Sequence, residues 1–363
     1  MFERTSNLIL LIVLTTFLFI GGLGFTSNYL LIAGILLPFV FHFILSPNKK
    51  IVLPKNFFLY VATLVISSLG LLWSRDVSSS VSFILLLISG ASFWIFAYNN
   101  KEKLTPYLER IIIILGLIFG ILFLYYSFTG LWPPAWGVFS FTSQYRNHNH
   151  IGDFWSMALL IPVFALIKGK RRFFDFFLMA VGLFFLAASL SRSAYLSFFA
   201  GLIFLFWKSG NMGRYKKLFL ASVLVLITLF IFTSLFKPTF ETRIYFIQSI
   251  MGLGRFPFGV GLGNFSVVSG LLQRPIFGLV SYSAYVHNIA LEMVSGLGIL
   301  GIIFIYWLIR ISKEVLACPK QNLLYGAIFV CFLVNFLFDR TYLTPTLIWI
   351  WFMSLGLSQE NNA

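Results

Sequence analysis

The sequence has few charged residues and few cysteines. Only 10% of its 363 residues are Asp, Glu, Lys or Arg, whereas 59% are hydrophobic and the mean hydropathy is +0.93. No soluble globular domain has this composition, so the chain is predicted to be an integral membrane protein. The two cysteines, Cys318 and Cys331, fall in a loop and within an apolar run, so no structural disulfide is expected.

The signatures of several enzyme classes are also missing. The chain has no Gly-x-Ser-x-Gly, no Walker sequence and no His-Glu-x-x-His. It has no Asp-x-Asp, and its first predicted outside loop, at 26–28, has no acidic residue. Transfer chemistry that needs a metal held by a carboxylate cluster is therefore poorly supported, and we expect neither a metal nor a cofactor.

Long apolar runs recur along the chain and predict a single all-α polytopic membrane domain over 1–363. A spanning helix needs about 20 apolar residues. Twelve spans are predicted, at about 8–25, 29–45, 57–73, 79–98, 111–128, 151–167, 173–190, 193–207, 218–236, 287–309, 322–338 and 343–357. The loop at 237–286, between the ninth and tenth spans, is long enough to form short helices and a lid.

The net charge of +15 follows from the predicted topology. With a cytoplasmic N-terminus and alternating loops, most basic residues lie inside, as the positive-inside rule requires. Both termini are therefore expected in the cytoplasm, and no nucleic-acid partner is expected. The basic residues left outside are mostly arginine, which suits bidentate recognition of phosphate or carboxylate. They are Arg75, Arg146, Arg192, Lys237, Arg243, Arg255, Arg274 and Arg340.

His287 is the leading candidate for a catalytic group. It lies where the long loop ends and an apolar helix, predicted over about 287–309, begins. An ionisable residue at such a boundary indicates a functional site, and histidine moves protons near neutral pH. The alternative is a histidine that only caps the helix or binds a neighbouring loop. Asn288 and Glu292 share a face of this helix; Glu292 orients Asn288 or nearby loops, or is simply buried and paired.

Arg192 and Arg243 are the candidate anion ligands. Arg192 follows Ser191 at the start of a helix, where backbone N–H groups, a serine cap and a guanidinium form an anion site. The alternative for Arg192 is a side chain that extends to the membrane interface. Arg243 lies in the amphipathic start of the long loop, and its alternative is a surface salt bridge with Glu241. Arg75 is a weaker candidate, in a turn where Ser74 or Asp76 is expected to cap the next helix.

A polar segment at 146–153 precedes the sixth predicted span. It contains Arg146, a His-x-His pair ending at His150, and Asp153. His-x-His with a nearby Asp has the chemistry of a metal site. The commoner alternative is a polar start of a helix that hydrogen-bonds a substrate or another loop. Arg146 and His150 are therefore supporting candidates, and no metal ligand is assigned.

The glycines at 296–301 match a Gly-x-Gly-x-x-Gly pattern. They lie in an apolar helix with no preceding strand, so a dinucleotide site is not expected. Small residues in such a helix are expected to let another helix approach closely.

In this order, the motifs resemble the O-antigen ligase and polymerase superfamily of bacterial envelope enzymes. The order and spacing of the motifs across about 75–300 carry the resemblance. It departs from the family at His148, where proline is more common. The matching residues are Leu72-Trp73-Ser74, Asn147-x-Asn149-His150, Ser191-Arg192-Ser193-Ala194, Arg243, Pro257-x-Gly259-Val260-Gly261-x-Gly263-Asn264-Phe265 and His287-Asn288-x-x-Leu291-Glu292.

The resemblance implies a metal-independent, inverting membrane glycosyltransferase of the bacterial inner membrane, active at the periplasmic face. Its donor is a glycan on undecaprenyl pyrophosphate. Its acceptor is lipid A–core for a ligase, or a lipid-linked glycan for a polymerase, and ligation is our first expectation. His287 is expected to be the base, with Arg192 and Arg243 on the pyrophosphate. A transporter of the lipid-linked sugar, or a scaffold, is a remoter alternative because no repeat is visible and the candidate groups cluster at helix ends.

Overall fold

The computed structural model describes residues 2–22, 27–45, 50–129, 148–169, 173–210, 224, 228, 240–271 and 283–360. Regular secondary structure within these ranges is helical throughout, which confirms the predicted all-α class. The helices are α1 (Phe2–Gly22), α2 (Asn28–Leu45), α3 (Phe57–Leu69), α4 (Val77–Asn99), α5 (Lys101–Thr129), α6 (His148–Ala158), α7 (Leu160–Ile167), α8 (Phe173–Ala188), α9 (Arg192–Ser209), α10 (Phe240–Arg255), α11 (Phe265–Leu271), α12 (Ile289–Leu297), α13 (Ile302–Leu316), α14 (Leu323–Phe336) and α15 (Pro345–Ser358).

The prediction of twelve spans is wrong. In the described part of the chain, five helices are long and apolar enough to cross a membrane: Asn28–Leu45, Val77–Asn99, Lys101–Thr129, Asn149–Ile167 and Ile289–Leu316. Five more predicted spans are apolar helices of 10–17 residues: Leu10–Gly22, Phe57–Trp73, Phe173–Ala188, Lys320–Phe336 and Pro345–Ser358.

Two predicted spans fall in neither group. In α9, Arg192 and Lys208 at the two ends reduce the mean hydropathy of the helix. The span at 218–236 lies almost entirely outside the described residues. Sequence counting overestimates spans because apolar residues mark burial against protein as well as against lipid. The five long apolar helices still indicate a multi-pass membrane protein.

Two of the long apolar helices lie in the centre of the bundle. In the apolar stretch of Asn149–Ile167, 94% of the residues are buried inside the protein. The share is 78% in Val77–Asn99 and only 33% in Asn28–Leu45. Helix α4 packs against α2 and α15, while α9 packs against α14. The central helices therefore contact protein, and the side chains they carry are shielded from lipid.

A short 3₁₀ turn, Gly298–Gly301, interrupts the helix that was predicted to run over 287–309. Gly298 has φ 62°, and a Cβ at this position would collide with the backbone of Pro257. The neighbour of this glycine pattern is thus a loop, so the expectation of a closely packed helix is wrong. The loop is residues 256–264, which we call the glycine loop.

The glycine loop pairs with the interrupted helix through backbone hydrogen bonds. The N–H of Ile299 donates to Pro257 at 2.9 Å, and the N–H of Gly261 donates to the carbonyl of Gly296, also at 2.9 Å. The break in the helix therefore supplies backbone groups that fix this loop.

Asn264 joins the glycine loop to the turn before α4. Its side-chain amide lies 2.9–3.2 Å from four oxygens: the hydroxyls of Ser74 and Ser80 and the carbonyls of Asp76 and Leu262. Asp76 caps α4 by accepting from the N–H of Ser79, as predicted. We call Asn264, Ser74, Ser80 and Asp76 the asparagine cluster. The turn before α4 and the glycine loop, which are distant in sequence, therefore form one structural unit.

Candidate functional site

His287 has an unusual backbone conformation that its neighbours hold in place. Its φ is 61°, in the left-handed region, which costs a non-glycine residue about 1–3 kcal/mol. The preceding N–H, of Val286, donates to Glu292 Oε2 at 3.0 Å. The following residue, Asn288, caps α12 by accepting from the N–H of Leu291 at 2.9 Å. Strain maintained from both sides in this way is typical of functional positions.

The imidazole of His287 lies between an acid and an aromatic ring. Its Nδ1 is 3.6 Å from Asp339 Oδ1, which is longer than a hydrogen bond but within range of an ion pair. The ring of Tyr245 stacks on the imidazole, with centroids 5.9 Å apart and planes 20° apart. The His287 side chain is 23% exposed, whereas Asp339 is buried. Because Nδ1 faces Asp339, Nε2 is the nitrogen left to contact a substrate.

Asp339 is held as an ionised carboxylate. It accepts hydrogen bonds from Asn149 Nδ2 at 2.9 Å and from the N–H of Arg340 at 2.6 Å. Burial raises the pKa of Asp339. The contact with His287 and its charge, together with the charge of His150, outweigh burial and lower that pKa to about 2. The protonated form of His287 therefore faces a full negative charge.

A second carboxylate, Asp153, lies beside Asp339 and is fully buried. Its Oδ1 accepts from Asn335 Nδ2 at 2.5 Å, while Oδ2 has no hydrogen-bond partner within the described ranges. The hydroxyl of Ser193 lies between the two acids, 3.4 Å from Asp153 Oδ1 and 3.5 Å from Asp339 Oδ2, and its shorter contact, at 2.9 Å, is with the hydroxyl of Ser191. We call the whole group the histidine–carboxylate cluster; its members are His287, Asp339, Asp153, Ser193, Asn149, His150 and Asn335.

Two hydrogen bonds connect the His287 segment to the Asp339 segment, one on each side of the acid. Asn288 Nδ2 donates to the carbonyl of Leu337 at 2.9 Å, and Tyr342 Oη donates to Glu292 Oε2 at 3.0 Å. Glu292 is buried, and it accepts hydrogen bonds both from the loop before His287 and from Tyr342. Both alternatives considered for Glu292, orienting a nearby loop and being buried and paired, therefore apply. These bonds fix the spacing between the imidazole and the carboxylate.

Two arginines are direct chain neighbours of cluster residues. Arg192 begins α9 next to Ser193, and Ser191 caps that helix through the N–H of Ala194, as predicted. Its guanidinium is half-buried and has no hydrogen bond or ion pair with any described residue. Arg340 follows Asp339, and its guanidinium lies 5.8 Å from the centre of the Tyr285 ring. Two chain neighbours of the cluster therefore carry positive charge.

The structure describes Arg75 fully, Arg243 only by its backbone, and Arg146 not at all. The backbone of Arg243 lies in α10, the helix that contacts His287 through Tyr245, but its side chain is outside the described residues. Arg146 is also outside them. The side chain of Arg75 is exposed. Its backbone N–H donates to the carbonyl of Val260 in the glycine loop, which is not part of the histidine–carboxylate cluster.

Sequence reasoning missed Asp339 as a site residue. It considered Asp153 only for a metal site and Arg340 only as one of the outside basic residues. The available signal was an Asp-Arg pair between the last two apolar runs, on the same predicted side as His287. No group of three or more His, Cys, Asp or Glu suited to a metal ion occurs among the described residues. The cluster offers one exposed base, a buried counter-charge and nearby cations, which suits proton removal beside an anionic leaving group.

Comparison of the chain with protein-family models, curated proteins and solved structures finds no match.

Proposed function

We propose that the protein is a glycosyltransferase of the bacterial inner membrane, of the O-antigen ligase and polymerase type. It transfers a glycan from undecaprenyl pyrophosphate to a sugar hydroxyl at the periplasmic face, and ligation to lipid A–core is the reaction we favour. The supporting observation is the strained, partly exposed His287 against the buried carboxylate of Asp339. In this proposal both termini are cytoplasmic.

His287 is the general base of the proposed reaction. The acceptor hydroxyl gives its proton to Nε2 while its oxygen forms a bond to the anomeric carbon of the donor. The bond from that carbon to the phosphate oxygen breaks, and its electron pair leaves with undecaprenyl pyrophosphate. This single displacement inverts the anomeric centre. Asp339 stabilises the imidazolium that forms, and a positioned base of this kind contributes about 10²–10⁴-fold.

Arginines stabilise the departing pyrophosphate. Arg192 and Arg243 are the ligands expected from the sequence, and the position of Arg340 beside Asp339 adds a third. Charge grows on the pyrophosphate oxygens as the bond breaks, so these contacts strengthen most in the transition state. Each charge-assisted hydrogen bond contributes about 1.5–3 kcal/mol. The proposal therefore needs no metal ion or cofactor.

The first test is transfer by the purified full chain in the presence of a chelator. Undecaprenyl-pyrophosphate glycan is offered with lipid A–core in one reaction and alone in another. Product only with lipid A–core identifies a ligase, while chain extension with donor alone identifies a polymerase. Absence of product in both reactions contradicts the proposal.

The matched variants are His287→Asn and His42→Asn. Asparagine accepts the left-handed backbone but cannot act as the base, so His287→Asn should lose about 10²–10⁴-fold in rate. His42 is buried near the far end of the bundle, where it contacts Asn100, and its variant should retain the rate per folded molecule. Full transfer by His287→Asn would exclude this residue as the base.

One observation favours a second function, transport of the same lipid-linked sugar. Asp153 is a fully buried carboxylate within a candidate span, and buried acids in membrane helices often carry protons in transporters. The measurement is movement of labelled donor across proteoliposomes with and without a pH gradient. Gradient-dependent crossing without any transfer product would support transport instead of glycosyl transfer.

A further inference from the structure

A half-open cavity of about 240 Å³ is lined in part by Tyr285 and Leu343, which belong to the chain segments that hold His287 and Asp339. One wall is the first turns of α4, with the hydroxyls of Ser78, Ser79 and Ser82. The opposite side includes Gly263 of the glycine loop and the ring of Tyr285. Hydroxyl groups and apolar carbon therefore face the same small space.

The serine wall offers mainly hydrogen-bond acceptors. Ser79 Oγ donates its proton to Asp76 Oδ2 at 2.6 Å, and Ser82 Oγ donates to Asn28 Oδ1 at 2.8 Å. Their remaining lone pairs can only accept. Ser78 has no side-chain hydrogen bond to any described residue. A ligand that satisfies this wall must bring several hydroxyl or amide donors.

The surrounding charges disfavour an anionic ligand. The hydrogen bonds from Ser79 lower the pKa of Asp76, so a carboxylate stays ionised directly behind the wall. No lysine, arginine or histidine lines the cavity as described. Burial, followed by the charge of Glu292, raises the pKa of Tyr285, so its hydroxyl stays neutral. The cavity therefore suits an uncharged molecule.

The cavity is connected to the reacting groups through two of its own residues. Tyr285 lies two positions before His287 and carries the Arg340 guanidinium over its ring. Leu343 ends the turn Arg340–Leu343, which Asp339 caps. A molecule in the cavity would thus lie against the two chain segments that hold the base and its counter-charge.

We propose that this cavity is a subsite for one neutral sugar ring, whose hydroxyls meet the serine wall and whose apolar face packs on Tyr285. The subsite rests on the proposed function and deepens it by naming what orients the glycan beside His287. Its volume is below the roughly 300–1,000 Å³ of sites for drug-sized ligands, so it fits a single ring rather than an oligosaccharide. The ring belongs to the acceptor or to the donor glycan.

The first test measures binding without any reaction. Methyl hexopyranosides and methyl N-acetylglucosaminide are added to the full chain in nanodiscs, and saturation-transfer NMR detects contact. Ser78→Leu fills the cavity without removing an observed side-chain hydrogen bond, while Ser68→Leu makes the same change on the exposed side of α3. Signal in the wild type and in Ser68→Leu, lost in Ser78→Leu, supports the subsite. Absence of signal from every glycoside, or an equal signal in Ser78→Leu, overturns it.

The second test uses the transfer reaction and identifies the source of the ring. Ser78→Leu should raise one KM by roughly ten-fold or more while kcat stays near that of the wild type. A raised KM for lipid A–core places the acceptor sugar in the cavity, and a raised KM for the lipid-linked glycan places the donor sugar there. If neither KM changes, the subsite is excluded. If the wild type binds glycosides but transfers nothing, the proposed function fails and the subsite stands.

Discussion

The two polar clusters of this protein differ in how completely their hydrogen bonds are satisfied. In the asparagine cluster, the amide of Asn264 lies within 3.2 Å of four oxygens, and the hydroxyls of Ser74 and Ser80 are 2.8 Å apart. In the histidine–carboxylate cluster, the His287–Asp339 contact is 3.6 Å and one oxygen of Asp153 has no partner among the described residues.

On this difference we interpret the asparagine cluster as a structural contact and the histidine–carboxylate cluster as the proposed reactive site. A well-connected polar network fixes a backbone arrangement, as the asparagine cluster does for the glycine loop. A buried group left without a partner costs free energy, so it persists where function needs it. The asparagine cluster should therefore control stability, and the histidine–carboxylate cluster should control activity.

The largest expected effect is on activity, from Asp339→Asn. The amide keeps the shape of the side chain but removes the charge that faces His287, so transfer should fall by about 100-fold or more. The measurement is the transfer rate per folded molecule. Glu314→Gln is the matched control, because Glu314 also accepts from amide side chains, Asn56 and Gln359, at the other end of the bundle. Equal losses in both variants would show that the loss does not depend on the charge that faces His287.

The next largest expected effect is on kcat/KM for the donor, through the arginines proposed to bind its pyrophosphate. Arg192→Gln and Arg340→Gln should each lower kcat/KM for the lipid-linked donor by about 10–100-fold, the equivalent of roughly 1.5–3 kcal/mol. Arg255→Gln is the control, because Arg255 is an exposed arginine at the end of α10 that lies over Phe256. If Arg255→Gln lowered kcat/KM as much as the other two, general surface charge rather than a local site would bind the donor.

Asn264→Ala should affect stability instead. It removes the amide donor that Ser74 shares with the buried Ser80, at a cost of about 1–3 kcal/mol. The unfolding temperature in detergent should fall, whereas kcat per folded molecule should be retained. Ser68→Ala, at an exposed hydroxyl bonded only within its own helix, should leave the unfolding temperature almost unchanged. A fall in kcat without a fall in stability would reverse the assignment of this cluster.

The smallest effect is a pH dependence of stability. The folded-state pKa of Asp339 is about 2, below its ordinary value of 3.8. Its ionised form therefore contributes stability that is present above the ordinary pKa and is lost as the pH falls towards 2. The unfolding temperatures of the wild type and of Asp339→Asn should differ at pH 5 and converge as the pH approaches 2. A difference that stays constant over this range would show that Asp339 is not linked to folding.

Local patterns in the sequence predicted several helix starts correctly. The caps at Asp76 and Ser191 were expected from residue type and position, and both are present. The helix after His287 begins at Ile289, close to the predicted start. Such features depend on residues within a few positions of one another, so a single sequence contains the information.

Longer-range features were not predictable in this way. The twelve-span count was wrong because several apolar runs form helices of only 10–17 residues in the described part of the chain, and hydropathy alone does not fix the length of a helix. The break at Gly298 was missed because the glycine loop that contacts it is distant in sequence.

The sequence by itself determined the class of this protein, an apolar helical membrane chain, and drew attention to His287. Composition and local spacing were enough for both. Only the tertiary structure decided that Asp339 faces His287, that Ser193 lies between Asp339 and Asp153, and that Tyr245 stacks on the imidazole. The physical reason is that burial and long-range partners set the charge state of an acid, and no local pattern specifies which distant side chains will meet.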